Sequence, residues 1–151
     1  MGLIRWIGLR ILLFVAALNL VACATMSDPP PTLYKRLGGR EGIALVVGDF
    51  VTNMAADSRV NARFKDMKPA DVEKLKSNIA DQICDATGGP CSYVGRDMKT
   101  THKGMKVTTA AFNALVEDLV SALDTFNVPK KEKDELIAIL APMKKDIVEV
   151  P

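Results

Sequence analysis

A single histidine, His102, is present among the 151 residues of the chain. A neutral imidazole is a common ligand of iron, zinc and copper. Because the chain has no second histidine, a bis-histidine metal centre within one chain is excluded. Taken alone, His102 is either the one imidazole ligand of a metal or cofactor, or an ordinary surface or capped residue on a short helix.

The other residues with metal-binding or redox chemistry are three cysteines. Cys84 and Cys91 enclose a short loop that contains a Gly-Gly-Pro turn. In an oxidising compartment they can form a disulfide, and closing so short a loop is worth about 2.5 kcal/mol. Two alternatives stay open: the thiols are free and buried, or Cys84, Cys91 and His102 bind zinc with a fourth ligand. The interval from Cys91 to His102 is not a usual zinc-finger spacing.

The beginning of the chain has the pattern of an export signal. Arg5 and Arg10 precede an apolar run over residues 11–22. Asn19 interrupts this run, which is shorter than the roughly 18 residues that a spanning helix needs. It ends in Leu-Val-Ala-Cys, which resembles the bacterial lipobox. We therefore expect residues 1–22 to be a cleaved signal peptide and Cys23 to be lipidated. The alternative is an ordinary signal peptide in which Cys23 has no role.

The resemblance to a lipobox implies a protein of the cell envelope, held by acyl chains in the outer membrane and facing the periplasm. Residues 23–31 are rich in proline and form the expected tether, and residues 32–151 form one domain. Lys and Arg number 20 against 18 Asp and Glu, and two arginines would leave with the signal peptide. The mature chain then has no net formal charge, which argues against a nucleic-acid partner.

Apolar residues recur at helical spacing over the rest of the chain, and no alternating strand pattern is present. The spacing, with Thr, Pro and Gly residues at the segment ends, predicts an all-α domain. Pro142 should kink the last helix because it removes one backbone donor. The predicted helices are 32–37, 41–57, 69–87, 98–102, 108–126 and 128–147, with Thr108 or Thr109 capping the fifth.

Several stretches of the folded part follow one another at intervals typical of one family. They are T-L-Y-K-R-L-G-G, D-F-V-T-N-M-A-A-D-S-R-V-N-A-R-F, G-G-P-C-S-Y-V-G-R-D-M-K-T-T-H-K-G-M, F-N-A-L-V-E-D-L-V-S-A-L and V-P-K-K-E-K-D-E-L-I-A-I-L-A-P. From Thr32 to about Val148 the chain resembles the truncated haemoglobins of group I. The resemblance implies a two-over-two helical sandwich around haem b, with His102 as the proximal iron ligand. The other N–H of a ligating imidazole needs an acceptor, and a nearby backbone carbonyl is expected.

The same resemblance implies which side chains contact the haem. Phe64 corresponds to an aromatic residue that packs on the porphyrin face. The full set is Phe64, Leu75, Ile79, Tyr93, Met98, Phe112, Val116 and Leu140. Each of these could instead be an ordinary core residue, because apolar residues at helical spacing usually are. Arg96 and Lys99 could pair with the haem propionates or remain solvated.

The distal side departs from the family pattern. Many members have a tyrosine and glutamines that donate hydrogen bonds to the bound gas, where this chain has Val51, Leu75 and Ile79. Losing a bond of roughly 1.5 to 3 kcal/mol should weaken oxygen retention by about ten- to a hundredfold. Gln82 is the one strongly polar residue on that helix face. The sequence therefore predicts a haem protein that reversibly binds oxygen, nitric oxide or carbon monoxide, with at most weak nitric oxide dioxygenase activity.

Two other functions stay open at the level of sequence. The domain could pass electrons to a periplasmic redox partner, which predicts bound haem with reversible redox behaviour and little affinity for gases. It could also be a haem-free, lipid-tethered interaction module, which predicts no Soret absorption. A shared fold does not decide between them.

Overall fold

The computed structural model describes residues 28–150. The chain divides into two units, Met1–Pro30 and Pro31–Pro151. Only residues 28–30 of the first unit are described, and they form no regular secondary structure. The predicted signal peptide, residues 1–22, and the predicted lipidation site Cys23 lie outside the described residues. Within residues 28–150, no helix is long and apolar enough to cross a membrane.

The described part of the second unit is helical. Its elements are α1 (Leu33–Arg36), α2 (Gly39–Ala56), a 3-10 turn (Asn61–Arg63), α3 (Pro69–Ala86), α4 (Met98–His102), α5 (Thr109–Thr125), α6 (Lys130–Leu140), a second 3-10 turn (Ala141–Met143) and α7 (Lys144–Ile147). Between residues 31 and 150 the β-type pairing is confined to one isolated parallel bridge, which joins Thr108 to Val150. The predicted all-α fold is confirmed.

Threonine side chains cap two of the helices at their N-termini. Thr32 caps α1 by accepting a hydrogen bond from the backbone N–H of Lys35. Thr108, rather than Thr109, caps α5, because its hydroxyl oxygen accepts from the N–H of Ala111 at 3.0 Å. Such caps satisfy backbone donors that have no partner within the helix. These starting points follow directly from residue type.

The end of the chain differs from the expectation of one kinked helix. Helix α6 stops at Leu140, and Ala141–Met143 form a 3-10 turn before α7 begins at Lys144. Pro142 lacks a backbone N–H, and its ring crowds the carbonyl one turn earlier. The proline therefore divides the predicted helix into two instead of bending it.

Helix α2 lies at the centre of the core and packs against both α3 and α5. Its buried side chains follow helical spacing and are Ile43, Val46, Val47, Val51 and Met54. They meet Ile83 of α3 and Leu123 of α5. The buried faces of these three helices form the core, and the other helices of the domain pack around it.

Two glycines allow the sharp connection between α1 and α2. Gly38 and Gly39 have φ angles of 84° and 66°, in the left-handed region that glycine enters without steric cost. Gly42, one turn into α2, lies against the preceding segment, because a Cβ there would overlap the carbonyl oxygen of Leu37. The double glycine thus brings α1 back across the start of α2.

Candidate functional site

His102 is the last residue of α4, a short helix capped by Asp97. The carboxylate of Asp97 accepts hydrogen bonds from the backbone N–H of Thr100 at 2.8 Å and from its hydroxyl at 2.7 Å. These two bonds hold the pKa of Asp97 below its ordinary value, and the bond from the hydroxyl contributes the larger part. The cap is therefore ionised at neutral pH and fixes the start of the turn that carries the histidine.

The imidazole of His102 is half-buried, and its Nδ1 lies 2.8 Å from the carbonyl oxygen of Met98. A carbonyl oxygen can only accept, so in this bond Nδ1–H donates. The neutral ring then keeps its lone pair on Nε2. That is the tautomer in which a histidine ligates a metal while its other N–H is held by a backbone acceptor.

The loop that leads to α4 is tied to the end of α3. The backbone N–H of Tyr93 donates to Oδ2 of Asp85 at 3.0 Å. The Tyr93 hydroxyl donates to the carbonyl oxygen of Arg96 at 2.8 Å, and the Thr101 hydroxyl donates to the same oxygen at 3.3 Å. Tyr93, predicted as a haem contact, is half-buried and uses its hydroxyl inside its own loop.

A disulfide joins Cys84, in the last turn of α3, to Cys91 at the start of this loop, with 5.8 Å between their Cα atoms. Cys84 is almost fully buried. In this arrangement neither sulfur is a free thiolate, so the zinc alternative loses two of its three ligands. Across residues 28–150, moreover, no three His, Cys, Asp or Glu side chains are grouped so that they could hold a metal ion.

A set of apolar side chains packs against the core but stays only partly buried. These residues include Phe50, Phe64, Val72, Leu75, Ile79, Leu115, Ile137, Ile139 and Leu140. Four of the predicted haem contacts are in this set: Phe64, Leu75, Ile79 and Leu140. Met98, Phe112 and Val116 are also half-buried. Incompletely covered apolar side chains on several helices are what a flat apolar macrocycle needs on its faces.

A cavity of about 210 Å³ lies where α2, the first 3-10 turn and α3 meet. Its lining residues are Val51, Thr52, Ala55, Phe64, Met67, Val72, Leu75 and Lys76. It brings together three residues predicted for the haem site: Val51, Phe64 and Leu75. His102, Ile79 and Gln82 do not line it. Sequence reasoning missed Met67, which follows the turn at residues 61–63, where helical periodicity gives no signal.

The two polar residues of this cavity already have partners. The hydroxyl of Thr52 donates to the carbonyl oxygen of Gly48 at 3.0 Å. The ammonium of Lys76 pairs with the exposed carboxylate of Glu73 at 2.8 Å. The other six lining side chains are apolar. Apart from the ammonium of Lys76, no lining side chain of this cavity has a free hydrogen-bond donor.

Gln82, predicted for the distal pocket, does not line this cavity. Its side-chain N–H donates to the Sδ atom of Met143 at 3.5 Å, in the 3-10 turn that Pro142 creates. A thioether is a weak acceptor, so this bond adds little energy. The amide therefore joins α3 to the last part of the chain and is not at the cavity beside Val51.

The charged residues near α4 also fit the expected cofactor. Arg96 and Lys99 are exposed and form no ion pair with any residue from 28 to 150. They are available for propionate groups at a haem edge. The ammonium of Lys144 lies 5.7 Å from the ring centroid of Phe112, so one ring face of this predicted contact carries a cation. Partly buried apolar side chains, an imidazole whose Nε2 keeps its lone pair and exposed cations are the kinds of group that bind haem.

Comparisons with known proteins identify the family of this chain. The sequence model of a family described as bacterial-like globin matches residues 32–149. The group 1 truncated haemoglobin GlbN of Mycolicibacterium paratuberculosis is 30% identical over 118 residues, which are 78% of this chain and 85% of that protein. A group 1 truncated haemoglobin of Chlamydomonas moewusii is 30% identical over 145 residues, covering 91% of this chain and 83% of that protein.

The fold comparison gives the same result. The crystal structure of the Fe(III) form of truncated haemoglobin from Tetrahymena pyriformis superimposes with a TM-score of 0.73 at 29% sequence identity. The match covers 78% of this chain and 98% of the Tetrahymena chain. By sequence and by fold, this chain belongs to the bacterial-like globin family and has the two-over-two helical fold of the truncated haemoglobins.

Proposed function

We propose that this globin holds haem b through Nε2 of His102 and reversibly binds diatomic gases. Haem is the cofactor of the family, and its iron supplies the site at which oxygen, nitric oxide or carbon monoxide coordinates. Phe64, Leu75 and the other half-buried apolar residues would cover the porphyrin faces. Arg96 and Lys99 would pair with the propionates.

The observation that carries this proposal is the bond from Nδ1–H of His102 to the carbonyl oxygen of Met98, at 2.8 Å. It selects the ligating tautomer and restricts rotation of the ring. The apolar residues around α3 and α5 add the low-polarity surroundings that a buried haem requires.

The distal residues determine which gas is retained. A hydrogen bond to the bound gas matters most for oxygen, because the oxygen adduct is strongly polarised, and less for carbon monoxide and nitric oxide. Val51 and Leu75 cannot donate, and the hydroxyl of Thr52 is already bonded to Gly48. The protein therefore suits reversible gas binding or sensing better than oxygen storage. For the same reason nitric oxide dioxygenation, which requires retained oxygen, should be weak.

The rate of oxygen release tests this proposal. In stopped-flow mixing, the haem-loaded protein should release oxygen about ten- to a hundredfold faster than a truncated haemoglobin with a tyrosine at the position of Val51, because one hydrogen bond to the gas is missing. Carbon monoxide release from the two proteins should differ much less. Oxygen release as slow as in the tyrosine-bearing protein would contradict an apolar distal site.

We further propose that the globin domain is exported and tethered to the outer membrane, facing the periplasm. The support is sequence alone: the apolar run at 11–22, the Leu-Val-Ala-Cys motif and the proline-rich residues up to 31. Mass spectrometry of the protein from a bacterial envelope should find Cys23 as a diacylated N-terminus, and Cys23→Ser should abolish the modification. An unmodified Cys23 in the wild type would contradict lipid anchoring.

A further inference from the structure

The backbone directly after His102 is held by a residue 43 to 45 positions away in sequence. The carboxylate of Glu149 accepts hydrogen bonds from the backbone N–H of Gly104 at 2.7 Å and from that of Lys106 at 2.6 Å. Each carboxylate oxygen takes one of the two bonds. Hydrogen bonds to an ionised acceptor are stronger than those between neutral groups. Glu149 thus bridges two N–H groups of one short turn.

This turn has an unusual backbone. Gly104 has a φ angle of 80° and Lys106 one of 52°, both in the left-handed region. Glycine adopts this conformation freely, whereas a residue with a long side chain keeps it only where the surroundings impose it. The bond from the Lys106 N–H to Glu149 is such a constraint.

Further bonds attach the end of the chain to the same segment. The backbone N–H groups of Glu149 and Val150 both donate to the carbonyl oxygen of Val107, at 2.9 and 3.1 Å, and the N–H of Thr109 donates to Val150. The side chain of Arg63 donates to the carbonyl oxygen of Met105 from the other side. Helix α7 also packs against α4. The segment between His102 and α5 is therefore clamped by the chain terminus.

We propose that Glu149 is a positioning residue for the iron ligand: by fixing the turn at Gly104 and Lys106, it sets the orientation of His102 against the haem. The inference rests on the proposed ligation by His102. Gly104 is two residues beyond the ligand, so a change in its backbone moves the end of α4. The Met98 carbonyl fixes the ring from within the helix, and Glu149 fixes the helix end from outside.

The test compares Glu149→Gln with Asp134→Asn in the haem-loaded protein. The first variant is isosteric but keeps only one carbonyl oxygen for two N–H donors. The second also replaces a carboxylate by its amide, in the exposed pair of Asp134 with Lys130 on α6, away from the cavity. Resonance Raman spectroscopy of the ferrous protein reports the stretch between iron and the histidine nitrogen, and haem transfer to apomyoglobin reports haem retention.

In Glu149→Gln the iron–histidine band should shift and broaden, and haem should be lost about tenfold faster, as is usual when a partner that orients a ligand is altered. Asp134→Asn should match the wild type in both. The frequency of the iron–histidine band tests the inference even if the variant is less stable to heat, because lower stability alone does not change that frequency. A wild-type band in Glu149→Gln would overturn the inference and leave ligation by His102 intact. A wild type that is five-coordinate in the ferrous state and still lacks the iron–histidine band would overturn both.

Discussion

His102→Gly is expected to lose haem far faster than the wild type, and added imidazole is expected to restore binding. His102 is the only histidine of the chain, so no other imidazole can take its place. Altering a group that merely orients a metal ligand typically costs about ten- to a hundredfold in affinity. Removing the ligand itself should therefore accelerate haem transfer to apomyoglobin by more than about a hundredfold. Glycine leaves a space that free imidazole can fill.

Lys103→Gly is the matched control for this loss. Lys103 follows His102 as the C-cap residue of α4 and is exposed. Its replacement adds the same flexible residue to the same turn, so it measures the cost of a weakened helix end. Haem retention should stay close to the wild type. If His102→Gly retained haem as well as Lys103→Gly, another residue would be the ligand.

The second large effect is expected from Val51→Tyr. Val51 is buried on α2 and lines the cavity of about 210 Å³ beside Leu75, so there is space for a larger side chain. A tyrosine hydroxyl there can donate a hydrogen bond to the bound gas, worth roughly 1.5 to 3 kcal/mol. Oxygen release, measured by stopped flow, should slow by about ten- to a hundredfold. Carbon monoxide release should change little.

Val51→Phe distinguishes the effect of the tyrosine hydroxyl from the effect of the aromatic ring. It fills the cavity with the same aromatic group but cannot donate a hydrogen bond. We expect it to release oxygen as fast as the wild type or within a few-fold. Equal slowing of oxygen release in Val51→Phe and Val51→Tyr would mean that obstruction of the path, and not the missing donor, controls the rate.

The helices that could be predicted from sequence are those with a local signal. Thr32 and Pro69 mark the starts of α1 and α3 by their own chemistry, and the double glycine at 38–39 marks the turn before α2. The helix prediction was incomplete where apolar spacing and a proline favoured different structures. The apolar spacing of 128–147 favours one helix, but Pro142 breaks the hydrogen-bond ladder, so the structure contains α6, a 3-10 turn and α7.

The site divides in the same way. His102 could be proposed as a ligand from its residue type, and Val51 and Leu75 as non-donating distal residues from their positions in the family pattern. Backbone partners could not be found, because every residue has a carbonyl and an N–H and the sequence does not show which of them meet. The bond from His102 to Met98 and the bonds from Gly104 and Lys106 to Glu149 are of this kind.

Gln82 and Met67 show a further limit of sequence reasoning. Gln82 lies on α3, yet its amide meets Met143, because the turn created by Pro142 brings that thioether to it. Met67 enters the cavity from the segment between the first 3-10 turn and α3. Both contacts depend on the path of irregular segments, which helical periodicity does not describe.

Resonance Raman spectroscopy of the ferrous protein most directly tests whether Nε2 of His102 binds the iron. The wild type should show an iron–histidine stretching band, and His102→Gly should lack it. Imidazole should restore a band in the variant, and imidazole labelled with ¹⁵N should move that band to lower frequency. An iron–nitrogen band that persists in His102→Gly without imidazole would contradict the assignment of His102 as the ligand.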